Sequence, residues 1–394
     1  MRDWQRATTM RISGILPESD KRITVVCNGT AIAAVEEGIN RPDLGSDDLY
    51  LSAGMIDLMV PGYGGASFRN ANLTESGIRT VLQGLYARGT THFYPLVATT
   101  TLDAYNKVLP TIDRFAKQDV QGKSIPGVHI EGPYLSEEPG FCGAHNPDLM
   151  RDPRAEEFKN WCDLSGNRVA ILTLAPERDG AITFIRQARK LGVKVALGHT
   201  AASAEQMDAA IAAGADISTH LGNGAPSMIH RWDNFMFRQL ADDRLWTMVI
   251  ADGDHLPDSN LRIWFRTKGL QRLILVSDMA EQAGLPAGIY KCPDAIEVRV
   301  EESGRISVND GSGSLAGAGH GLDRCVAKAA SIGEFTLAEC LLMATMNPAR
   351  YLGLNHLGRL APGMEASMFL FDRNIGSTLK VRQTILAGQV VYQA

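Results

Sequence analysis

The chain has no Cys-x-x-Cys pair, no surplus of basic residues and no apolar run long enough to cross a membrane. Because its six cysteines are widely scattered, the sequence favours the reduced thiols of a cytoplasmic protein over a disulfide framework. The net charge of -5 provides no general basic field, which argues against nucleic acid but leaves room for a local cationic site. Residues 1–10 lack the apolar core of a signal peptide. These absences predict a cytoplasmic protein with no nucleic-acid and no membrane partner.

The middle of the chain alternates apolar runs of strand character with amphipathic stretches of helical character. The apolar runs end near eight positions, which are Met59, Val97, Glu131, Ala175, Gly198, His220, Ala251 and Asp278. Several stretches between them, for example residues 76–89 and 182–192, close with Gly after basic residues, as helices do. A chain of 394 residues is long enough for one large barrel and an accessory unit. We therefore predict an α/β fold built on a (β/α)8 TIM-like barrel.

The two ends of the chain differ from the middle, because both consist of short β-type runs separated by Gly, Pro and Asp. This texture predicts a small β-sandwich domain formed by residues 1–52 and 356–394, around a barrel domain at 53–355. After Asp278 the sequence predicts a hairpin-like insert over 289–308, then helices over 320–331 and 336–346. The main alternative is an open doubly wound sheet, but no Gly-x-Gly-x-x-Gly follows the first strand.

Three strand ends carry side chains that bind divalent metals in proteins, namely Glu131, His199 and His220. The carboxyl ends of barrel strands meet on one rim, where the active sites of this fold lie. A carboxylate and two neutral imidazoles suit Zn²⁺ or another first-row divalent ion and leave one position open for water. The alternative is that each histidine is an ordinary core or surface residue.

Two further side chains at strand ends suit proton transfer and oxyanion stabilisation. Asp278 follows the most apolar run, where an uncompensated carboxylate is costly. It could carry a proton from metal-bound water to a leaving group, or it could simply cap a helix that begins after it. His255 could donate to a substrate carbonyl oxygen as negative charge develops, or it could be a loop histidine.

The loop after the sixth strand carries Arg231, whose guanidinium fits an anionic group, phosphate above all. The backbone around Asn223 and Gly224 could supply further donors, and His145 occupies a similar loop position after Glu131. The alternative for Arg231 is a solvated surface residue. Residues 62–65, Gly-Tyr-Gly-Gly, predict a tight structural turn after the first strand.

These motifs resemble those of the N-acetylglucosamine-6-phosphate deacetylases, a family of the amidohydrolase superfamily, along nearly the whole chain. The most specific are His-Ile-Glu-Gly-Pro at 129–133 with Gly-Ala-His-Asn-Pro at 143–147, and Gly-His-Thr at 198–200 with Thr-His-Leu at 219–221. Two others, Asn-Pro-Ala-Arg and Ala-Pro-Gly near the carboxyl terminus, also occur in other amidohydrolases.

The resemblance implies a barrel with a β-sandwich built from both termini, and it implies roles for particular residues. The residues matching Glu131, His199 and His220 would bind the catalytic metal, and the one matching Asp278 would be the acid/base. The matches to His145 and His255 would contact the sugar or the acetamide carbonyl. The match to Arg231 would reach the 6-phosphate across an interface, which implies a homodimer.

The chain also departs from the family pattern. Many amidohydrolases carry His-x-His at the end of the first strand for a second metal, and some deacetylases of this family have Gln and Asn there, but this chain has Met59 and Pro61. We therefore expect one divalent ion, Zn²⁺ first and Fe²⁺, Co²⁺ or Mn²⁺ as alternatives. The loop segments 221–225 and 232–234 differ from Leu-Phe-Asn-Ala-Met and Glu-Pro-Gly of the family, which leaves the exact sugar open.

The function implied by the resemblance is metal-dependent hydrolysis of the N-acetyl group of N-acetylglucosamine 6-phosphate. The nearest alternative is deacetylation of N-acetylgalactosamine 6-phosphate or another N-acyl sugar. Ring opening or deamination by another amidohydrolase chemistry is a further alternative. The last is a catalytically silent sugar-phosphate binding protein, against which the retention of Glu131, His199, His220 and Asp278 argues.

Overall fold

The computed structural model describes residues 9–118, 120–293 and 296–394. The strands and helices of the first third are β1 (Thr9–Ile15), β2 (Arg22–Asn28), β3 (Ala31–Glu37), β4 (Leu44–Ala53), β5 (Met55–Val60), β6 (Gly62–Tyr63), β7 (Ala66–Ser67), α1 (Glu75–Tyr86), β8 (Thr90–Ala98), α2 (Leu102–Ala116) and β9 (Val128–Glu131). Those of the middle are α3 (Ala155–Leu164), β10 (Val169–Leu174), α4 (Ala181–Lys190), β11 (Lys194–Leu197), α5 (Ala204–Ala213), β12 (Ile217–Ser218), α6 (Phe235–Ala241), β13 (Trp246–Val249), α7 (Asp258–Lys268) and β14 (Leu273–Leu275). The last part contains β15 (Gly288–Lys291), β16 (Glu297–Val300), β17 (Ile306–Val308), α8 (Leu322–Ile332), α9 (Leu337–Ala344), α10 (Met346–Leu352), β18 (Met368–Asp372), β19 (Val381–Leu386) and β20 (Gln389–Gln393).

Eight parallel strands form the barrel, in the order β14-β13-β12-β11-β10-β9-β8-β5. Each strand ends within three residues of its predicted position, and the predicted (β/α)8 fold is confirmed. The barrel closes where β14 approaches β5. There the Asp278 amide donates to the Met59 carbonyl at 3.0 Å, and the Ser277 amide donates to the buried Asp57 carboxylate at 3.2 Å.

The helices form because their apolar residues recur at helical spacing and their ends are capped. In α1 the side chains of Ile78, Val81, Leu82 and Leu85 are buried against the barrel. Helix α5 begins with a complete capping box, in which Ser203 and Gln206 satisfy each other's backbone amides. The helices therefore cover the barrel with one apolar face each. No helix in the described part of the chain is long and apolar enough to cross a membrane.

The small domain is one seven-stranded sheet, in the order β20-β19-β18-β4-β1-β2-β3. Strand β18 pairs antiparallel with β4, so the two ends of the chain share hydrogen bonds. Its core combines side chains from both ends, including Ile12, Val25, Met368 and Ile385. The predicted β domain from both termini is thus present, and we retain as a proposal that it consists of 1–52 and 356–394 around a barrel at 53–355.

The insert after β14 differs in detail from the prediction. It is a three-stranded antiparallel sheet of β15, β16 and β17, because the chain turns back a second time at Gly304, whose φ is +88°. Residues 294–295 of the predicted hairpin lie outside the described residues. The two predicted helices correspond to α8 and α9, and α10 follows them.

Candidate active site

Glu131, His199 and His220 converge on the rim at the carboxyl ends of β9, β11 and β12. The Nε2 atoms of the two histidines are 3.1 Å apart, and Glu131 Oε1 lies 3.4 Å from His220 Nε2 and 3.8 Å from His199 Nε2. All three side chains are buried. The structure therefore brings the predicted ligand set together as one group that could hold a metal ion.

The donor atoms of this group fit a divalent ion. Glu131 Oε1 is buried and has no hydrogen-bond partner among the described residues. His199 Nδ1 lies 3.0 Å from the Phe141 carbonyl, so Nδ1 carries the proton and the Nε2 lone pair faces Glu131 and His220. Tetrahedral zinc ligands at about 2.0–2.1 Å from the ion lie roughly 3.3 Å from one another, which matches the observed separations.

The electrostatics of the group also favour a cation at its centre. Burial alone would raise the pKa of Glu131, but the imidazoles of His145 and His220, each 3.4 Å from its carboxylate, hold it well below its usual range. Burial lowers the pKa of His199 to about 3, so its imidazole is neutral at pH 7. Burial opposes charge on His220, yet the neighbouring Glu131 carboxylate raises its pKa. An ionised carboxylate beside a neutral imidazole is what a divalent ion requires.

The backbone of the site is held in an unusual conformation. His199, His220 and Asp278 have φ values of +50°, +24° and +54°, in the region that side chains other than glycine rarely adopt. Two glycines make room for the His199 ring, since a Cβ at Gly143 or Gly224 would lie 2.8 or 2.6 Å from it. Such conformations cluster at functional sites, and no sequence pattern predicted them.

Asp278 lies beside this group, just beyond the end of β14, where it is half-buried and lines the cavity. Burial raises its pKa to about 7, and the nearby charge of His220 opposes this rise while that of Glu131 adds to it. No helix begins after Asp278, because residues 279–283 form a bridge and a turn, so the alternative of a helix cap is wrong. A carboxyl group with this pKa can both accept and release a proton near neutral pH.

His255 also faces the site, and its ring is oriented by a carboxylate that sequence reasoning missed. Its Nδ1 lies 2.8 Å from Asp252 Oδ2, and its backbone amide donates to Asp252 Oδ1 at 3.0 Å. Burial opposes ionisation of Asp252, but hydrogen bonding to His255 lowers its pKa to about 2. The only sequence signal for Asp252 was its position three residues before a candidate histidine.

A buried polar chain below the rim was also missed. His129 Nδ1 lies 2.9 Å from the Leu58 carbonyl, and His129 Nε2 lies 2.8 Å from the Thr173 hydroxyl. Thr173 in turn contacts the hydroxyl of Thr219 at 2.7 Å. His129 lies two residues before Glu131, and Thr219 lies one residue before His220. This series of hydrogen bonds therefore connects the strands that carry the metal-ligand candidates.

The predicted residues line one cavity of about 220 Å³, with one exception. Those that line it are Glu131, His145, His199, His220, Asn223, Gly224, His255 and Asp278. His145 Nε2 lies 3.4 Å from Glu131 Oε2. Arg231 does not line the cavity of the single chain, because it is exposed with its guanidinium 5.7 Å from the centre of the Trp232 ring.

Comparison with known proteins decides the family, because the amidohydrolase family profile matches residues 50–391. This chain belongs to the amidohydrolase family. Among similar proteins, the N-acetylglucosamine-6-phosphate deacetylase of Vibrio furnissii is 31% identical over 383 residues, which are 96% of this chain and 92% of that protein. The N-acetylgalactosamine-6-phosphate deacetylase of Escherichia coli O157:H7 is 33% identical over 304 residues, 77% of this amidohydrolase and 78% of that protein.

A solved structure resembles this amidohydrolase over nearly its full length. It is a mutant N-acetyl-D-glucosamine-6-phosphate deacetylase of Mycobacterium smegmatis in complex with N-acetyl-D-glucosamine-6-phosphate. The two share 28% identity and a TM-score of 0.86, over 98% of this chain and 99% of that chain. The resemblance noted in the sequence is therefore confirmed.

Proposed function

We propose that this amidohydrolase hydrolyses the N-acetyl group of N-acetylglucosamine 6-phosphate and releases acetate and glucosamine 6-phosphate. The observation that carries the proposal is the convergence of Glu131, His199 and His220 beside a half-buried acid, Asp278, in one cavity. Several relatives that are at least 30% identical to this chain bear the name of this activity. Deacetylation of N-acetylgalactosamine 6-phosphate is the second candidate, because one relative at 33% identity bears that name.

We assign Glu131, His199 and His220 as the ligands of one divalent ion, most simply Zn²⁺, with Fe²⁺, Co²⁺ or Mn²⁺ as alternatives. When bound, such an ion polarises the amide carbonyl and lowers the pKa of water. A second ion finds no ligands at the end of β5, because Met59 is fully buried in an apolar cluster and Pro61 offers no side-chain donor.

The remaining chemistry concerns a proton and a developing negative charge. Amide hydrolysis needs a group that takes a proton from the attacking water and gives it to the departing nitrogen. Asp278 suits both steps because burial raises its pKa to about 7. Asp252 holds the Nδ1 side of the His255 ring, so that Nε2 is left to stabilise the oxyanion, an effect typically of about 3 kcal/mol.

The proposed substrate also carries a phosphate, which needs a positively charged partner. Asn223, Gly224 and His145 line the cavity within the chain, and we assign them to substrate binding. We propose that Arg231 reaches the cavity of a second subunit in a homodimer. Support comes from its exposure and from two apolar neighbours, Met228 and Trp232, which are 85% and 74% exposed and would be covered by a partner.

Complementation between two impaired variants tests the role of Arg231. Arg231→Ala should raise KM for the phosphorylated sugar much more than for the neutral sugar, because it removes a phosphate contact. Mixed dimers of Arg231→Ala and Asp278→Asn should then regain activity, since one of the two sites receives both intact groups. Equal KM changes for the two sugars would contradict the phosphate role, and absence of complementation would contradict the crossing of the interface.

Acetate release tests the function itself. Metal-replete protein should release acetate fastest from N-acetylglucosamine 6-phosphate in a panel with the galactose epimer and both neutral sugars. Preference for the epimer would favour the second candidate. Binding of the sugar phosphates without acetate release would instead indicate a catalytically silent binding protein.

We further propose a cytoplasmic location. The six cysteines are free thiols and five of them are buried, which suits a protein that folds with reduced cysteines. Fractionation of producing cells should find the protein with cytoplasmic markers, and recovery with secreted proteins would contradict this.

A further inference from the structure

A second charged element lines the cavity, apart from the metal-ligand candidates and Asp278. Arg69 Nη2 lies 3.0 Å from Glu281 Oε1, and the two side chains are only 14% and 7% exposed. Among the described residues that line the cavity, Arg69 is the one arginine or lysine. The roles assigned so far use neither residue.

Hydrogen bonds fix the backbone of both residues of the pair. The Glu281 carbonyl accepts a hydrogen bond from the Gly65 amide at 2.8 Å, and the Arg69 carbonyl accepts one from the Thr100 hydroxyl at 3.0 Å. Burying such an ion pair is a poor way to gain stability, because desolvation offsets much of the attraction. A buried pair that faces a cavity therefore indicates a role in binding.

Its position in the barrel sets the part of the substrate that it meets. Arg69 and Glu281 follow the first and the eighth barrel strands, which are neighbours in the closed barrel, and the insert adds Ser314 to the same wall. Asn223 and Gly224 follow the sixth strand. An amide bound between these two walls has its amino sugar on one side and its acyl group on the other. When the sugar faces Asn223 and Gly224, the acyl group faces Arg69 and Glu281.

We propose that Arg69 and Glu281 form the wall that faces the acyl group and that they select acyl groups carrying a hydroxyl. This inference rests on the proposed function, in which Asn223 and Gly224 bind the amino sugar phosphate. It deepens that function by naming the acyl class that the site favours.

The chemistry of the pair favours a hydroxyl over the alternatives. A hydroxyl both donates and accepts, and the pair offers a carboxylate that accepts and a guanidinium that donates. A carboxylate on the acyl group would be repelled by the carboxylate of Glu281. It would gain no net attraction from the pair, because the ion pair as a whole is neutral. A purely apolar acyl extension would remove water from both charges and return no hydrogen bond.

Two acyl groups of nearly equal size test the proposal. The kcat/KM for N-glycolylglucosamine 6-phosphate should exceed that for the N-propionyl compound about tenfold or more, because the two differ by a hydroxyl in place of a methyl. In the double variant Arg69→Met/Glu281→Leu the ratio should fall towards one. Both charges are removed together so that neither is left buried and unpaired.

A matched ion pair provides the control. Arg151 and Glu157 are 2.8 Å apart with side chains 19% and 13% exposed, and they do not line the cavity. The variant Arg151→Met/Glu157→Leu should keep the wild-type ratio, so a change there would overturn the proposal.

The outcomes for wild-type protein separate the two levels of inference. Acetate release from N-acetylglucosamine 6-phosphate with a glycolyl-to-propionyl ratio near one would overturn the acyl selection and leave the deacetylase function standing. No release of any acyl group by metal-replete protein would overturn both. If the double variant fails to fold, the wild-type ratio is compared with the ratio of the alkaline hydrolysis rates of the same two amides. A wild-type ratio no higher than that intrinsic ratio would overturn the proposal.

Discussion

Buried ionisable side chains occur at both ends of the barrel, but they are satisfied differently. At the amino ends of the strands, His92 Nε2 lies 3.2 Å from Glu365 Oε1, and the Tyr351 hydroxyl donates to Asp216 at 2.7 Å. At the carboxyl ends, Glu131 Oε1 and His220 Nδ1 are buried without a hydrogen-bond partner in the described chain.

This contrast separates stability from function within one fold. A buried group with a partner contributes to stability, whereas one without a partner costs free energy and persists where function requires it. The left-handed backbone at His199, His220 and Asp278 adds to that cost, at roughly 1–3 kcal/mol for each residue. Substitutions at the carboxyl ends should therefore change activity, and those at the amino ends should change stability.

Asp278→Asn should show the largest effect. It should lower kcat by about 10²–10⁴-fold, because the amide cannot transfer the proton. Folding should be unharmed, since a half-buried carboxyl whose pKa is raised by burial is replaced by a neutral group of the same shape. Acetate release and thermal unfolding measure the two effects, with metal content as the control. Near-wild-type turnover would remove Asp278 from the mechanism.

Asp57→Asn should stabilise the protein in a pH-dependent way. Burial raises the pKa of Asp57 from 3.8 to about 7, so the folded state holds this proton over a range in which the unfolded state has lost it. The contribution of Asp57 to the free energy of unfolding is thus fully present below pH 3.8, and it is lost as the pH rises to about 7.

Asparagine at position 57 keeps a neutral acceptor for the Ser277 amide. It does not ionise, so the variant does not lose stability as the pH rises. The stability advantage of the variant should grow by at most about 1.4 kcal/mol for each pH unit across this range. Urea unfolding of both proteins at pH 5 and pH 8 measures the difference. An advantage that stays constant between pH 5 and pH 8 would show that Asp57 is already ionised in the folded protein at pH 5.

Glu365→Gln should show the smallest effect and the opposite pattern. Loss of the carboxylate beside His92 should reduce the free energy of unfolding by about 1–3 kcal/mol, because the buried imidazole loses a charged acceptor. The kcat/KM of the folded variant should stay within about twofold of wild type. A large loss of activity at unchanged stability would contradict the claim that residues at the amino ends of the barrel strands serve stability and those at the carboxyl ends serve activity.

Much of this molecule could be predicted from its sequence, because the relevant signals are local. Apolar runs separated by amphipathic stretches gave the barrel strands, and histidines or carboxylates at their ends gave Glu131, His199, His220 and Asp278. Each of these signals depends on residues that are close in sequence, and the geometry of a closed parallel barrel supplies the convergence.

The rest depends on contacts between distant parts of the chain. Asp57 meets Ser277 across 220 positions, and Arg69 meets Glu281 across 212, so neither pair leaves a periodic signal. The third strand of the insert was not predicted, because the residues around Gly304 do not differ in sequence from those of an ordinary loop. The exposure of Arg231 also became visible only in the folded chain.

Anomalous X-ray diffraction at the absorption edge of the bound metal tests the central claim most directly. Crystals of metal-replete protein should show one peak, within about 2.0–2.3 Å of Glu131 and of the Nε2 atoms of His199 and His220. A peak elsewhere, or a second peak beside Met59 and Pro61, would contradict the assignment of a single ion to these three ligands.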